Sequence, residues 1–115
     1  MNCIISSEIS DIEILKKKLA ETPDMSGLDL AKEVSTKEAY FTGNETAPYK
    51  VAVLDCGVKQ SILNCLTDAG VYAKVFNAST SFDEMKAWNP NGYFISNGPG
   101  DPSAMSYAIE TVKQI

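Results

Sequence analysis

The sequence predicts an α/β fold with a parallel β-sheet, and the evidence is a regular alternation of two hydrophobic patterns after residue 49. Short runs rich in β-branched and aromatic residues are typical of buried strands, and three of them occur here. A segment with apolar residues at helical spacing follows each run. Because a strand, helix, strand unit joins parallel neighbours by a right-handed crossover, this order indicates a parallel sheet covered by helices.

The three predicted strands span residues 50–55, 71–76 and 93–96. Between the first two, a predicted helix carries apolar residues at helical spacing, namely Ile62, Leu63, Leu66 and Ala69. Cys65 lies toward the same side of this helix, so we expect it to be buried. Gly70 stands where helices commonly end with a residue in the left-handed conformation.

Capping and turn residues predict the remaining elements of this region. Ser81, with Glu84 three residues later, is typical of the start of a short helix. The turn residues of NPNG, at 89–92, lead into the third strand. A last helix is predicted from about residue 103, with four apolar residues on one side, Met105, Ala108, Ile109 and Val112.

The chain before residue 43 is predicted to be helical. Ser10 is placed as an N-cap with Glu13 as its capping-box partner, and a helix over 11–21 follows. The stretch SGLDLAKEV predicts a shorter helix. Two such helices bury too little surface to be stable alone, so we expect them to pack on another element. The polar segment 43–49, which contains a glycine and a proline, is interpreted as a linker.

Composition and charge narrow the range of functions. The chain has 115 residues, of which 44% are hydrophobic, enough for one modest core. A net charge of −5 and an isoelectric point near 4.6 argue against nucleic-acid binding, which usually relies on a basic surface. No apolar stretch reaches the roughly 20 residues of a membrane span, and polar residues interrupt the N-terminus where a signal peptide would be apolar. We therefore expect a cytoplasmic protein.

The cysteines and histidines limit the possible chemistry. The three cysteines, Cys3, Cys56 and Cys65, are odd in number and widely spaced, which argues against a disulfide framework and against a metal site. The sequence contains no histidine, the commonest general base in enzymes. No Cys–His or Ser–His pair is therefore available within these residues.

Two loops follow the ends of predicted strands, where parallel sheets bind their ligands. In the first, the glycine loop (residues 97–101), Gly98 and Gly100 flank Pro99. Glycine allows a close backbone approach and proline fixes φ, so the loop can hold a peptide N–H toward a developing oxyanion. The alternative is a tight turn in which Asp101 or Ser103 caps the last helix, and these residues alone leave both possibilities open.

The second loop follows the first strand and reads DCG. A cysteine before a helix can be a nucleophile, but a buried structural cysteine is commoner, and no histidine is present to activate Cys56. Asp55 is either a phospho-acceptor or an anion near the N-terminus of a helix, and the second is commoner. Lys59 lacks the spacing of a phosphate-binding loop, so we interpret it as solvated or paired with a carboxylate.

Three segments resemble the class I glutamine amidotransferases, and more narrowly the small subunits of carbamoyl-phosphate synthetase. NPNGYFISNGPGDP is similar to the family stretch N-P-D-G-x-x-L-S-N-G-P-G-D-P. VAVLDCGVKQSIL is similar to the family's opening strand and helix, V-A-x-x-D-x-G-x-K-x-x-I-L. GLDLAKEVSTKEAY resembles the segment that closes the small subunit's own N-terminal domain, which other amidotransferases lack.

The resemblance implies the start of a flavodoxin-like, parallel-sheet amidotransferase domain, preceded by the helical end of the small subunit's N-terminal domain. It divides the chain into the C-terminal part of that N-terminal domain at 1–42, a linker at 43–49, and the first part of the amidotransferase domain at 50–115. The third predicted strand would then leave an open edge where the family's sheet continues. An open edge favours association or low stability of this chain alone.

The resemblance also implies a function. In the family, a cysteine thiolate attacks the side-chain amide of L-glutamine, and a large subunit uses the released ammonia with bicarbonate and ATP to make carbamoyl phosphate. By position, Gly98 and Gly100 would contact glutamine, and the Gly98 N–H would be one oxyanion-hole donor. The expected partner is the large subunit, in a heterodimer or a higher assembly. That subunit uses ATP and Mg, whereas this one is expected to need no cofactor or metal and to bind no nucleic acid or membrane.

The family's nucleophile stands on a G-x-C-x-G elbow a few dozen residues beyond the glycine loop, and its His and Glu partners come later still. Residues 1–115 contain none of these, so no cysteine here is assigned the nucleophile's role, and we expect an inactive fragment. Two positions depart from the family pattern. Cys56 replaces an aromatic residue and Ser61 replaces an asparagine, so no family contact is carried over to either side chain.

Two other interpretations stay open. One is a different class I amidotransferase, such as one that serves anthranilate or GMP synthesis, although the GLDLAKEV segment counts against it. The other is a non-catalytic flavodoxin-like or receiver-type binding module. Such a module usually has about five strands, and a receiver needs an acidic cluster where only Asp55 stands.

Overall fold

The computed structural model describes residues 2–115, which contain five α-helices, four β-strands and one turn of 3-10 helix. The helices are α1 (Ile12–Ala20), α2 (Ala31–Val34), α3 (Gln60–Asp68), α4 (Phe82–Ala87) and α5 (Ser106–Val112). The strands are β1 (Tyr40–Thr42), β2 (Tyr49–Asp55), β3 (Val71–Asn77) and β4 (Gly92–Ile95). The 3-10 turn, Pro102–Ala104, lies between β4 and α5.

The four strands form one mostly parallel sheet in the order β1-β3-β2-β4. β2 is parallel to β3 on one side and to β4 on the other, so Val53 lies beside both Val75 and Phe94. Helices α3 and α4 lie between successive parallel strands in the chain, as crossover connections require. The predicted α/β fold with a parallel sheet is confirmed, and all three predicted strands lie in it.

The sheet also contains a strand that the sequence pattern does not predict. β1 runs antiparallel to β3, and its Phe41 stacks on Tyr72 with the ring centroids 5.4 Å apart. Three residues are too few to show the two-residue period of a strand, so the pairing with β3 alone identifies it. The sheet therefore includes residues that precede the segment 43–49.

The hydrophobic core lies on both faces of the sheet, because neighbouring residues of a strand point to opposite sides. On one face, Leu54 and Phe76 pack against Met85 of α4, and all three are at most 1% exposed. On the other face, Val53 and Val75 pack against Leu63 of α3. The central strand β2 is consequently buried on both faces at its carboxyl end, where the second loop begins.

The outer edge of β4 is open among residues 2–115, since β4 pairs with β2 alone, as expected for the third predicted strand. Ile95 at the end of this strand is 40% exposed, and the neighbouring α5 also exposes Ile109 and Val112. Together with Cys56 and Met105 they line an apolar cavity of about 280 Å³. The predicted apolar side of the last helix is thus only partly buried.

The N-terminal helix begins one residue later than predicted, at Ile12, and its N-cap is Asp11. The Asp11 carboxylate, not the Ser10 hydroxyl, accepts the backbone N–H of Glu13 at 2.9 Å and that of Ile14. The Glu13 side chain pairs with Lys16 instead of closing a capping box. Helix α1 buries no residue of its own, so the expectation that both N-terminal helices pack on another element holds for α2 alone among the described residues.

Two further expectations about helices are corrected. Cys65 is exposed, because α3 turns Leu63 toward the sheet and leaves Cys65 near the solvent side. The last helix is not continuous from residue 103, because a 3-10 turn precedes α5. Within residues 2–115, no helix combines the length and the apolar character needed to cross a membrane.

Candidate functional site

The two loops predicted at the strand ends lie against each other. The backbone N–H of Cys56 donates to the Ser96 hydroxyl at 2.9 Å, and that hydroxyl donates to the carbonyl of Asn97 at 2.8 Å. The Ser96 N–H in turn donates to the carbonyl of Leu54 at 3.1 Å. Ser96 is buried, so these bonds fix the start of the glycine loop to the end of β2 in a site shielded from water.

The glycines in these loops are required by close packing of backbone on backbone. A Cβ added at Gly98 would overlap the carbonyl of Cys56. Gly100 has φ +95°, and a Cβ there would lie 2.5 Å from the carbonyl oxygen of Leu28. Gly57, with φ +123°, faces the ring of Pro99 across the two loops. Larger residues at these positions would separate the loops or strain the backbone.

The same loop leaves backbone donors free. Neither the Gly98 N–H nor the Gly100 N–H donates a hydrogen bond to any group among residues 2–115. Gly98 and Pro99 are exposed, so a ligand oxygen can approach them from solvent. An open pocket of about 320 Å³ adjoins the loop between Met25, Ser26 and Gly100. The loop can therefore present N–H donors to an oxygen, as one of its two interpretations predicts.

The other interpretation also describes part of the loop correctly. Asp101 caps the 3-10 turn, because one carboxylate oxygen accepts both the N–H and the hydroxyl of Ser103, at 2.9 and 2.7 Å. Its second oxygen accepts the N–H of Gly27 at 2.9 Å. These bonds, that from Gly27 foremost, lower the pKa of Asp101 because they favour the charged carboxylate. Capping and donor presentation thus occur in one loop.

Asp55 anchors the backbone around the second loop. One carboxylate oxygen accepts the N–H groups of Gly57 and Val58, at 2.9 and 2.8 Å, and the other accepts that of Thr36 at 2.8 Å. The residue is 5% exposed. These contacts favour one of the two roles predicted for Asp55, that of an anion near the N-terminus of a helix. A phospho-acceptor would need an accessible oxygen.

The cysteines have the environments of structural or surface residues. Cys56 is buried, and burial raises the pKa of its thiol, with a further contribution from the carboxylates of Asp55 and Asp29. A raised pKa disfavours the thiolate that a nucleophile needs. Cys3 and Cys65 are exposed and stand in neither loop. In the part of the chain that the structure describes, no group of Cys, Asp and Glu residues could hold a metal ion.

The site contains a segment that sequence reasoning missed. Residues 27–36, here called the brace, cross the carboxyl ends of all three parallel strands. Beside β4, the carbonyl of Leu28 in the brace accepts the backbone N–H of Asp101 at 2.9 Å. At the end of β3, Ala78 donates its N–H to Ser35, and Asn77 donates its side-chain amide to the carbonyl of Thr36. At the end of β2, the Asp55 carboxylate accepts the backbone N–H of Thr36.

The local signal for the brace is weak. Ser35 and Thr36 are small polar residues after a one-turn helix, a pattern common in loops. Their partners lie 19 to 43 residues away in sequence, so only the folded chain brings them together. Ala31 is fully buried in the same hydrophobic core as Leu54, so the brace packs on the sheet through this residue.

The glycine loop and the second loop both fall in the part of the chain that matches a known family. Residues 52–115 match the family described as glutamine amidotransferase class-I. Three curated relatives are named carbamoyl phosphate synthase small chain. That of Chlorobaculum tepidum is 44% identical over the whole of this chain and 31% of its own length. That of Methanococcus maripaludis is 42% identical over 88% of this chain and 28% of its own.

The third relative, from Vibrio parahaemolyticus, is 40% identical over 96% of this chain and 33% of its own length. This chain therefore spans about a third of the length of the relatives that it matches. The family match covers more than half of residues 1–115, and it includes the close-packed glycines that shape both loops. The chain belongs to the class I glutamine amidotransferase family.

Proposed function

We propose that this chain supplies the glutamine-binding loop of a carbamoyl phosphate synthase small subunit, which releases ammonia from glutamine for carbamoyl phosphate synthesis from bicarbonate and ATP. The observation that carries the proposal is the glycine loop itself. It holds two unused backbone N–H donors at the carboxyl end of a parallel sheet, in a chain of the amidotransferase family. The names of the relatives support the narrower assignment to the synthase.

The chemistry needs a donor for a negatively charged oxygen. When a thiolate adds to the side-chain amide of glutamine, a C–S bond forms and the carbonyl oxygen becomes an oxyanion. Collapse of this intermediate breaks the C–N bond, and ammonia leaves with an added proton while a glutamyl thioester remains. Water then hydrolyses the thioester to glutamate. The oxyanion forms twice, so one fixed donor assists both steps.

In this proposal the Gly98 N–H donates to the oxyanion, and the loop contacts glutamine through Gly98 and Gly100. A fixed donor is effective because it needs no reorganisation when the charge develops, and losing one typically costs about 3 kcal/mol in the transition state. The hydrogen bonds of Ser96 and the packing of Gly98 on Cys56 hold the donor in place. No cysteine among Cys3, Cys56 and Cys65 is proposed as the nucleophile.

We place the proposed function in the whole protein as follows. Residues 1–42 belong to the end of the small subunit's N-terminal domain, 43–49 to a linker, and 50–115 to the first part of the amidotransferase domain. The partner is a large subunit, which uses ATP and Mg, so glutamine hydrolysis here proceeds without a cofactor. The subunit acts in the cytoplasm. Residues 1–115 alone have no glutaminase activity, because they provide the oxyanion donor without a nucleophile.

A chimera tests the proposed function. Residues 1–115 replace the matching third of the Chlorobaculum tepidum relative, and the release of glutamate and ammonia from glutamine is measured beside the unaltered relative. We expect both proteins to hydrolyse glutamine. A chimera that folds, as judged by its circular dichroism and thermal unfolding, but releases no ammonia while the relative does, would contradict the proposal.

The role of Gly98 needs a second experiment, because an alanine there would overlap Cys56 whatever the function. Glycolic acid at position 98 replaces the N–H by an ester oxygen and adds no Cβ. In the chimera we expect kcat to fall by about 10²-fold to 10³-fold. The same replacement at Gly70, whose N–H bonds to Thr67 at the end of α3, removes a hydrogen bond far from the loop. An equal effect of the two replacements on kcat would remove Gly98 from the mechanism.

A further inference from the structure

One carboxylate joins three parts of the site. Asp101 directs one oxygen to Ser103 in the 3-10 turn and the other to the N–H of Gly27 at the start of the brace. Its own N–H donates to the carbonyl of Leu28 at 2.9 Å. A side-chain bond and a backbone bond therefore connect Asp101 to two successive residues of the brace, 74 and 73 positions away in sequence.

This double connection restrains a loop that has few restraints of its own. The N–H groups of Gly98 and Gly100 make no hydrogen bond within the described residues, and the N of Pro99 carries no hydrogen. Two glycines also give the backbone wide conformational freedom. At its first end the loop is held by Ser96, whereas at its second end the hydrogen bonds that hold it to the brace are those of Asp101.

The packing at Gly100 follows from the same connection. The carbonyl of Leu28 accepts the Asp101 N–H, and this bond holds the carbonyl oxygen close to Gly100. A Cβ at residue 100 would lie only 2.5 Å from that oxygen. The brace is itself fixed by Tyr107, whose hydroxyl donates to Asp29 at 3.0 Å. The second end of the loop is thus held by residues 27–29, which lie outside residues 52–115, the range matched to the glutamine amidotransferase class-I family.

We propose that Asp101 is a positioning residue for glutamine hydrolysis, which holds the glycine loop against residues 27–29 in the conformation that presents the Gly98 and Gly100 N–H groups. The inference rests on the proposed function for its substrate. It adds that the brace, through Asp101, sets how the loop meets glutamine. Holding a donor within a fraction of an ångström matters, because a misplacement of about 1 Å can cost about 10²-fold in rate.

Two substitutions separate this role from simple capping. Asp101→Asn leaves one acceptor oxygen where the carboxylate has two, so the side chain can no longer accept from Ser103 and from the Gly27 N–H together, and a bond to the neutral amide is weaker. Ser103→Ala removes one bond to the same carboxylate and leaves the bond to Gly27 intact. Both variants are examined in the 115-residue chain by hydrogen exchange, and in the chimera by glutamine kinetics and thermal unfolding.

In the chain, Asp101→Asn should lower the exchange protection of the amides of residues 27 and 101, while Ser103→Ala leaves it unchanged. In the chimera, Asp101→Asn should raise KM for glutamine and reduce kcat/KM by about 10-fold to 100-fold, whereas Ser103→Ala keeps both near the parent values. The unfolding midpoint of each variant identifies any loss of activity that is caused by misfolding.

The possible failures are distinct. Unchanged exchange protection in Asp101→Asn overturns the inference, whatever the chimera does. Equal kinetics for Asp101→Asn and Ser103→Ala in an active chimera also overturn it, while the proposed function stands. A folded parent chimera without glutaminase activity overturns the proposed function, and with it the role of Asp101 toward glutamine.

Discussion

Carboxylates hold the loops of this protein through backbone N–H groups rather than through cations. Asp55 accepts three such groups, and Asp101 accepts two together with a hydroxyl. Neither residue takes part in an ion pair within residues 2–115. Bonds from charged acceptors to backbone donors are stronger than neutral ones, and they fix the backbone directly. Single acidic residues therefore determine the shape of both strand-end loops.

Tyr107 gives a measurable test of the contact between α5 and the brace. Burial, followed by the hydrogen bond and the charge of Asp29, raises the pKa of Tyr107 to about 12. The unfolded chain loses this proton near pH 10. The stabilisation from the neutral hydroxyl is therefore fully present below about pH 10, and it is lost as pH rises toward 12. Titration of ¹³C-labelled tyrosine rings should show Tyr107 still protonated near pH 11.

Asp29→Asn is the matched variant for this titration. It keeps an acceptor for the Tyr107 hydroxyl but removes the negative charge, so the pKa of Tyr107 should fall toward its ordinary value. A Tyr107 resonance that titrates alike in both proteins would show that the hydroxyl does not contact Asp29 in solution.

At the scale of elements, two loops and the brace interlock through glycine backbones. A Cβ at Gly57 would lie 3.0 Å from both Pro99 and Val34, so this one residue stands between the glycine loop and the brace. Gly70, at the end of α3, also has a positive φ but has nothing within 4 Å of its position for a Cβ. An added Cβ would strain the backbone at both glycines, but it would be crowded by neighbouring atoms at Gly57 alone.

Alanine substitutions at these glycines should differ in cost. Gly70→Ala should lower the free energy of unfolding by about 1–2 kcal/mol, because only the left-handed backbone is strained. Gly57→Ala adds crowding against Pro99 and Val34, and it should cost a further 1–3 kcal/mol or so. Urea unfolding of both variants measures the difference. Equal costs would mean that the loops do not pack together as the structure shows.

At the scale of the whole molecule, the chain has an extended end and an open sheet edge. Its extents are 59 × 29 × 20 Å, and α1 buries no residue. Beside β4, the exposed side chains of Ile95, Ile109 and Val112 adjoin unpaired strand edges. Edges without charges or prolines tend to pair with other strands, and β4 consists of Gly-Tyr-Phe-Ile.

We expect the isolated chain to associate through this edge at high concentration. Ile95→Lys places a charge at the edge and should shift the chain toward monomer, as measured by sedimentation velocity. Ile5→Lys is the control, since Ile5 is 94% exposed and lies in the N-terminal segment. A chain that remains monomeric and unfolds in one sharp transition would contradict this expectation, as would equal effects of the two substitutions.

The parts of the site that were predictable from sequence depend on local chemistry. Short runs of β-branched and aromatic residues predict β2, β3 and β4, and Ser81 caps α4 by accepting the N–H of Glu84, as its spacing predicts. The sequence predicts a close backbone approach at Gly98 and Gly100, and the packing of both residues confirms it. Their contact with glutamine and the oxyanion role of Gly98 stay predictions. At Ser10 the prediction is wrong because the adjacent Asp11 suits an N-cap equally well. At Cys65 it is wrong because packing on the sheet sets the orientation of α3, which turns Leu63 inward and leaves Cys65 exposed.

The α/β class, the parallel strands and the position of the glycine loop follow from the sequence alone, because periodicity and turn residues act over a few positions. The pairing of β1 with β3 and the contacts of residues 27–36 with all three strand ends appear only in the folded chain. Those contacts join residues up to 74 positions apart, and each depends on where the whole sheet places its partner. A short polar segment carries no pattern of its own, so its role arises only from the surfaces that folding brings beside it.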